Sequence, residues 1–347
     1  MSEPLKVTVS APSNIALIKY WGARDLQRVI PWNPSISMTL ETCRTTTTAA
    51  WEPEGADDGE GDEIWWVDDN GELVPPGEAF VARAQSHLDR LRRWAADAPR
   101  AVSGRLRIAT RNSFPSAAGI ASSASGFAAL TLATVRALGA KATPRQLSNL
   151  ARASGSGSAS RSTAGGFVEW PGSQAPADDP WAEAIAPADH WALRDLVAVV
   201  ETGPKGVSSL DGHLQAESSP HFAQRLRQLP RRLEEVRRGI RERDIERLGP
   251  VVEEEAHELH LIAMSSRPPI HYWTPGTVEV LAAVRAMRRD LGLPVWATMD
   301  AGANVHVLCP PGYDGEATAR LTALPAVRQV LRDRCGTGPR GHEEHLF

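Results

Sequence analysis

Cysteine is scarce in this 347-residue chain, and nothing in its spacing makes use of what there is. Cys43, Cys309 and Cys335 are odd in number, far apart and without a C-x-x-C pair. That speaks against a disulfide framework or a zinc knuckle and suits a reducing, cytoplasmic compartment. Long apolar runs are also missing. No stretch approaches the ~20 residues of a membrane span, and Met-Ser-Glu-Pro-Leu-Lys lacks the basic-then-apolar pattern of a secretory signal. No membrane partner is therefore expected. Nor does charge of one sign accumulate: 38 Lys and Arg against 42 Asp and Glu leave a formal net charge of −4. A chain so balanced carries no electrostatic footprint for nucleic acid, and any anion recognition must be local. Both common phosphate loops are absent, G-x-x-x-x-G-K-[ST] as well as G-x-G-x-x-G between a strand and a helix.

What is present instead is Pro115 to Ala124, Pro-Ser-Ala-Ala-Gly-Ile-Ala-Ser-Ser-Ala. It leads into an apolar-periodic segment, with Phe127, Leu130, Val135 and Leu138 at near-helical spacing and Gly139 as a stop. Small side chains let backbone N–H groups approach an anion, and the helix that follows points its unpaired N–H groups at the same place. Gly119 sits in that loop. Ser122 and Ser123 fall in the first turn, within reach of a phosphate or its magnesium. An Ala- and Ser-rich helix start packed closely on a sheet would read the same way.

Strands are expected at Lys6–Ser10, Ile15–Tyr20, Ser35–Leu40 and Thr45–Trp51, and a hairpin over Ile64–Val74 around Asn70-Gly71. Ala79–Ala95 carries a helical pattern, and Leu106–Ala109 reads as a strand. Thr143-Pro144-Arg145-Gln146 is a capping box that opens a helix through Arg152. Gly166–Trp170 reads as a strand, and Pro171–Pro187 as a domain boundary. A strand at Leu196–Val200 precedes two charged helices, Phe222–Arg243 and Asp244–Met264, whose charges suit a solvated face with i,i+4 pairs. Thr274-Pro275 begins a helix ending at Gly292. Strands Val295–Met299 and Val305–Leu308 bracket Asp300-Ala301-Gly302-Ala303-Asn304, and a helix after Asp314 leads to a strand near Arg328–Leu331. Mixed strands and helices with hairpins fit an α+β fold of two sheet-plus-helix domains, residues 1–186 and 187–347. Trp65 and Trp66 are expected in the core.

Four other stretches carry chemistry, each beside a plainer meaning. Lys19 lies between apolar residues and Tyr20-Trp21, where a cation in a partly dry pocket can pair an anion; a solvated strand edge is the alternative. Gly155-Ser156-Gly157-Ser158-Ala159-Ser160-Arg161 exposes donors before an arginine able to clamp a phosphate or carboxylate; the alternative is a flexible linker. Asp300 at a strand end can take a proton from a bound hydroxyl, although Asp-Ala-Gly also opens tight turns. Lys205–Ser209 is a donor-rich loop or an ordinary surface turn. His257-Glu-Leu-His260 spaces its histidines three apart with no third ligand and is read as structural.

The Pro115–Ala124 stretch resembles the phosphate loop of the GHMP small-molecule kinase superfamily. Together the blocks resemble one branch, the diphosphomevalonate decarboxylases. Asn-Ile-Ala-Leu-Ile-Lys-Tyr-Trp-Gly, Ser-Ile-Ser-Met-Thr-Leu, Phe-Pro-Ser-Ala-Ala-Gly-Ile-Ala-Ser-Ser-Ala, Gly-Ser-Gly-Ser-Ala-Ser-Arg-Ser and Met-Asp-Ala-Gly-x-Asn occur in the family's order over most of the chain. The resemblance implies a two-domain fold with the site in the interdomain cleft, ATP and Mg2+ as cofactors, and a homodimer. It implies Asp300 as base at the C3 hydroxyl and Lys19 supporting charge beside it. Arg161 would engage the C1 carboxylate, with Ser156 and Ser158 holding the substrate. Tyr20 and Ser209 would contact its phosphate end, and Gly119, Ser122, Ser123 and Lys205 would serve ATP. Phosphorylation at C3 would create the leaving group whose departure expels carbon dioxide.

Departures from the family pattern bear on the substrate. The family usually reads Lys-Tyr-Trp-Gly-Lys, and here the second lysine, which faces the diphosphate, is Ala23. One charged hydrogen bond at a phosphate is worth about 1.5–3 kcal/mol, or about ten- to 150-fold in affinity. Leu210 supplies no compensating charge, although Arg24 stands close by; Ala303 replaces the usual proline after Asp-Ala-Gly. The expectation is therefore decarboxylation of 5-phosphomevalonate to isopentenyl phosphate, the alternative being the diphosphate enzyme with Arg24 in the lysine's place. A kinase that stops at the 3-phosphate and a nucleotide sensor without catalysis are the remaining readings.

Overall fold

The computed structural model describes residues 5–53, 61–98, 100–101, 104–115, 120, 122–172, 180–203 and 206–347. It has the expected α+β architecture, in which two main sheets are each covered by helices. The chain opens with β1 (Leu5–Ile18), a small hairpin of β2 (Ala23–Asp25) and β3 (Ile30–Pro31), and β4 (Ser35–Glu52). The sequence divides β1 and β4 into two strands each. The structure runs each pair into one strand, because a register shift between Pro12 and Asn14 absorbs the proline without ending the ladder. Lys19 and Tyr20, expected inside a strand, fall just beyond the end of β1.

β5 (Glu63–Val67) and β6 (Leu73–Val74) form the expected hairpin, followed by α1 (Glu78–Trp94) and β7 (Arg105–Asn112). β7 pairs antiparallel with β4 and parallel with β5. Next come α2 (Ser122–Ala137) and α3 (Pro144–Arg152), whose Thr143 capping box is present. The face of α2 against the sheet is built from small side chains, with Ala128 and Ala129 meeting Ala11 of β1. An alanine face lets the helix lie close to the sheet, which fixes where its first turn sits. The Gly-Ser stretch, for which a flexible linker is the alternative reading, winds into a 3-10 helix over Gly157–Thr163.

β8 (Phe167–Trp170) pairs with β4, and β9 (Glu183–Ala186) pairs with β8 inside the stretch expected to be a boundary. The second half contains β10 (Arg194–Val199), α4 (Ser209–Gln215), α5 (Phe222–Glu242), α6 (Ile245–Ser265), α7 (Pro275–Leu291), β11 (Trp296–Thr298), β12 (Val305–Cys309), α8 (Asp314–Thr322) and β13 (Gln329–Arg334). Its sheet runs β11-β12-β10-β13, all antiparallel. β14 (Arg340–His342), which sequence reading does not anticipate, returns to the first sheet beside β1.

The charges of α5 and α6 do not all form a solvated face. Arg225, Arg232 and Glu255 are buried, and they pair across the two helices. Their repeat matches that of a wet helix face, but the partner they face is another helix and not water. The three cysteines are free and buried, and among the described residues no helix is long and apolar enough to cross a membrane.

Candidate active site

Where β1 ends, Lys19 turns inward and becomes 1% exposed. Its Nζ donates to Asp300 Oδ1 at 2.9 Å, Thr298 Oγ1 at 2.8 Å and Ala16 O at 2.7 Å, so all three ammonium protons are used. Thr298 closes β11, and Asp300 lies two residues on, which brings together groups 281 positions apart in sequence. The backbone of Lys19 is fixed from below: its N–H donates to Glu255 Oε2 at 3.1 Å, and its carbonyl accepts from Arg225 Nη2 at 2.8 Å and Asn33 Nδ2 at 3.0 Å. Burial opposes the charge on both partners of the Lys19–Asp300 pair. At Asp300 the attraction and hydrogen bond of Lys19 outweigh that burial, with help from His306 and Arg161, and hold its carboxyl below the usual range. Asp300 is therefore an ionised acceptor in a largely dry cleft, with about a quarter of its side chain exposed.

Arg161 is also buried. Its Nε donates to Ser37 Oγ at 3.0 Å, Nη1 to Ser35 Oγ at 2.5 Å and Nη2 to Asn14 Oδ1 at 3.4 Å. Ordinary hydroxyls and an amide neutralise none of its charge, which is left to act on Asp300. Ser156 and Ser158 stand on its N-terminal side, their hydroxyls 3.3 Å apart, and Ser123 Oγ lies 3.4 Å from Ser156 Oγ. The first turn of α2 thus meets the 3-10 segment. Gly157 is required there by close approach, since a Cβ would stand 2.5 Å from the Tyr20 ring.

Tyr20 rests edge-on against Trp170, and the His213 ring stacks on it at 4.0 Å. Ser209 occupies the first turn of α4, half-buried, one helical turn before His213. Arg24 is not brought in: Ala23 is buried, the next residue of β2 is exposed, and Arg24 makes no hydrogen bond or ion pair among the described residues. Gly119 and Lys205 lie outside the described residues. His257 and His260 pack against Trp273, and His260 also lies against Tyr272.

Beside the first turn of α2 opens a cavity of about 660 Å³. Ser122 and Ser123 line one end, and Trp66, Val74, Pro75, Pro76, Phe80 and Phe127 supply its apolar walls. Arg83 stacks on Phe127 with its guanidinium carbon 4.3 Å from the ring centroid and donates to Ser154 O at 3.0 Å. Sequence reasoning misses this wall. Trp66, assigned to the core, is half-buried and faces the cavity; Pro75-Pro76 between hairpin and helix is the one local signal that could have marked it.

A serine-bearing helix start, an apolar cavity next to it and a buried Lys–Asp pair across two sheet-and-helix halves fit the GHMP kinase superfamily. The N-terminal half, residues 11–181, matches the family model described as diphosphomevalonate decarboxylase-like N-terminal domain, and residues 195–340 match the mevalonate 5-diphosphate decarboxylase C-terminal domain. The diphosphomevalonate decarboxylase of Ganoderma lucidum is 35% identical over 99% of this chain and 97% of its own length, and that of Homo sapiens is 37% identical over 92% and 85%. A solved complex described as MDDEF with MVAPP, AMPPCP and magnesium superposes with a TM-score of 0.86 at 33% identity, covering 99% of this chain and all of the other. The chain belongs to the diphosphomevalonate decarboxylase family and is a decarboxylase. These relatives favour the diphosphate reading, the alternative at the sequence level, over the monophosphate one.

Proposed function

We propose that this protein carries out the ATP-dependent decarboxylation of a 5-phosphorylated mevalonate, with 5-diphosphomevalonate as substrate and isopentenyl diphosphate as product. The observation that carries the reading is the Lys19–Asp300 pair: an ionised carboxylate, held by a fully bonded ammonium, within the electrostatic reach of Arg161. Asp300 takes the proton of the C3 hydroxyl. Arg161 holds the C1 carboxylate until it leaves as carbon dioxide, and Ser156 and Ser158 orient the skeleton between them. Tyr20 and Ser209 face the phosphate end. The donors fit a nucleotide as well: Ser122 and Ser123 at a helix start suit its phosphates, and the apolar cavity suits its base. ATP supplies the phosphoryl group that turns the C3 oxygen into a leaving group. Magnesium in such sites is held largely by nucleotide phosphates, which agrees with the lack, among the described residues, of any cluster of three acidic, histidine or cysteine ligands.

One observation favours the second reading, 5-phosphomevalonate. Position 23 is a buried alanine, and strand alternation turns Arg24 to the opposite, exposed side. Carbon dioxide release with ATP and magnesium, compared between the two compounds at matched concentration, separates the readings. Preference for the diphosphate is expected. A strong preference for the monophosphate would make Ala23 the mark of a changed specificity, and no release from either would sink both.

The cavity assignment gives a separate expectation. Stacking of a base on an aromatic ring is worth about 1–3 kcal/mol. Trp66→Ala should therefore raise the KM for ATP by about five- to 150-fold and leave binding of the phosphorylated mevalonate unchanged. An unaltered KM for ATP would place the base elsewhere.

A further inference from the structure

His213 has no part in the roles assigned so far, yet its placement is tightly specified. α4 is held against the rest of the site by Gly212, where a Cβ would stand 2.2 Å from Trp21, and by the Tyr272 hydroxyl, which donates to Ser208 O at 3.3 Å. Four residues separate Ser209 from His213, so the two share a face of the helix, while Leu210 and Leu214 share another and are exposed. On its inner side the His213 ring lies flat against Tyr20, and its Nδ1 accepts the Gly22 N–H at 3.1 Å. That bond decides the tautomer: with Nδ1 an acceptor, the ring proton sits on Nε2. Nε2 makes no hydrogen bond to any described residue, and His213 is half-buried where His260 and His306 are fully buried. The Tyr20 hydroxyl beside it likewise has no partner among the described residues. Two neutral donors without a described partner thus sit on the stacked rings of half-buried residues, one helical turn from Ser209.

We propose that His213 is a substrate-binding residue that donates Nε2–H to the phosphate end of the substrate and sets the affinity for that end. The proposal rests on the reading above that places the phosphate end at Tyr20 and Ser209. Burial, then the nearby Arg161 and Arg225, hold the imidazole pKa down to about 3, so the ring contributes a hydrogen bond and no charge. A neutral donor recognises the phosphate by geometry, where a lysine would add charge attraction without direction. The aromatic stack fixes the ring so that little rotamer freedom is lost on binding.

Binding of 5-phosphomevalonate, 5-diphosphomevalonate and unphosphorylated mevalonate to wild type, His213→Phe and His213→Gln by calorimetry tests this. Phenylalanine keeps the stack and loses the donor; glutamine restores a donor. His213→Phe is expected to weaken both phosphorylated compounds about ten- to 150-fold, the range for a hydrogen bond to a charged group. Mevalonate binding should stay within about twofold, and kcat at saturation should change little. Partial recovery with glutamine is expected. Equal weakening for all three compounds would show that the ring only packs, and no weakening would show that Nε2 meets nothing on the substrate. Should the variants fail to fold, nitrogen-15 spectra of histidine-labelled wild type decide. The Nε2 resonance should show the Nε2–H tautomer and shift with 5-phosphomevalonate but not with mevalonate, and a resonance indifferent to the phosphate overturns the proposal. Wild type that binds a phosphorylated mevalonate through His213 but releases no carbon dioxide would refute the proposed function and leave this inference standing.

Discussion

Asp300→Asn is expected to slow carbon dioxide release by about 10²- to 10⁴-fold, the range for removing a general base. The substitution changes little in shape. An amide oxygen can still accept from Lys19 Nζ, so the 2.9 Å contact survives in form. What disappears is the anion, with two consequences. The C3 hydroxyl loses its proton acceptor at the moment its oxygen attacks the phosphoryl group. Lys19, almost fully buried and already disfavoured as a cation by desolvation, loses the attraction that most opposes this. The expected variant is folded, binds nucleotide through a cavity that Asp300 does not line, and turns over slowly. Single-turnover release of carbon dioxide, with ADP counted in the same samples, checks it. A near wild-type rate would remove Asp300 from the role of base. ADP formed without carbon dioxide would instead place its role after phosphoryl transfer.

The pair itself was legible in the sequence only through the family resemblance. Neither Lys19 nor Asp300 stands in a motif with intrinsic meaning, and no periodicity links two residues 281 positions apart. Local signals fared better where local physics decides. The Thr143 capping box, the Thr274-Pro275 helix start and the Asn70-Gly71 hairpin each appear where turn and cap chemistry put them. Local signals failed where a partner decides. The seven-residue α4 has too little sequence to show a period, so nothing local marks His213; its meaning comes from Tyr20, 193 positions earlier. Trp66 looked like core because tryptophan usually is, while a cavity wall needs a neighbour to be absent, which composition cannot express. The helical stretch with Arg225 and Arg232 shows the same ambiguity, since a charge repeat is identical whether it faces water or a second charged helix.

That buried network supports the second large expectation. Glu255, wholly buried, accepts from Arg225 Nη2 at 2.8 Å, from Arg232 Nη1 at 2.6 Å and from the Lys19 N–H at 3.1 Å. Arg232 also reaches Glu254 at 2.6 Å and Glu258. Replacing Glu255 by Leu leaves Arg225 buried without an anionic partner, and breaking such a pair costs about 3–5 kcal/mol, a large share of the ~5–15 kcal/mol that holds a typical native protein together. Denaturant unfolding of Glu255→Leu against wild type reads it directly. The pH dependence carries the same sign. Burial pushes the Glu255 carboxyl up, but Arg225 and Arg232 outweigh it and bring the folded pKa below the ordinary glutamate value. Its contribution is therefore fully present above about pH 4.3 and is lost as pH falls through the lower folded value. Loss of stability alone would make Glu255 a strut. Its bond to the Lys19 N–H predicts more: at temperatures where the variant is still folded, kcat should fall, because the strand end that aims Nζ at Asp300 is no longer pinned. A variant in which Arg225, Arg232 and Glu255 all become apolar separates the two effects. Swapping a whole buried ion network for well-packed apolar groups is often neutral or stabilising, so this variant should regain much of the lost stability while Lys19 stays unpinned and turnover stays low. Recovery of both together would show that the network serves stability only, and that Lys19 is held by Asn33, Thr298 and Asp300 without it.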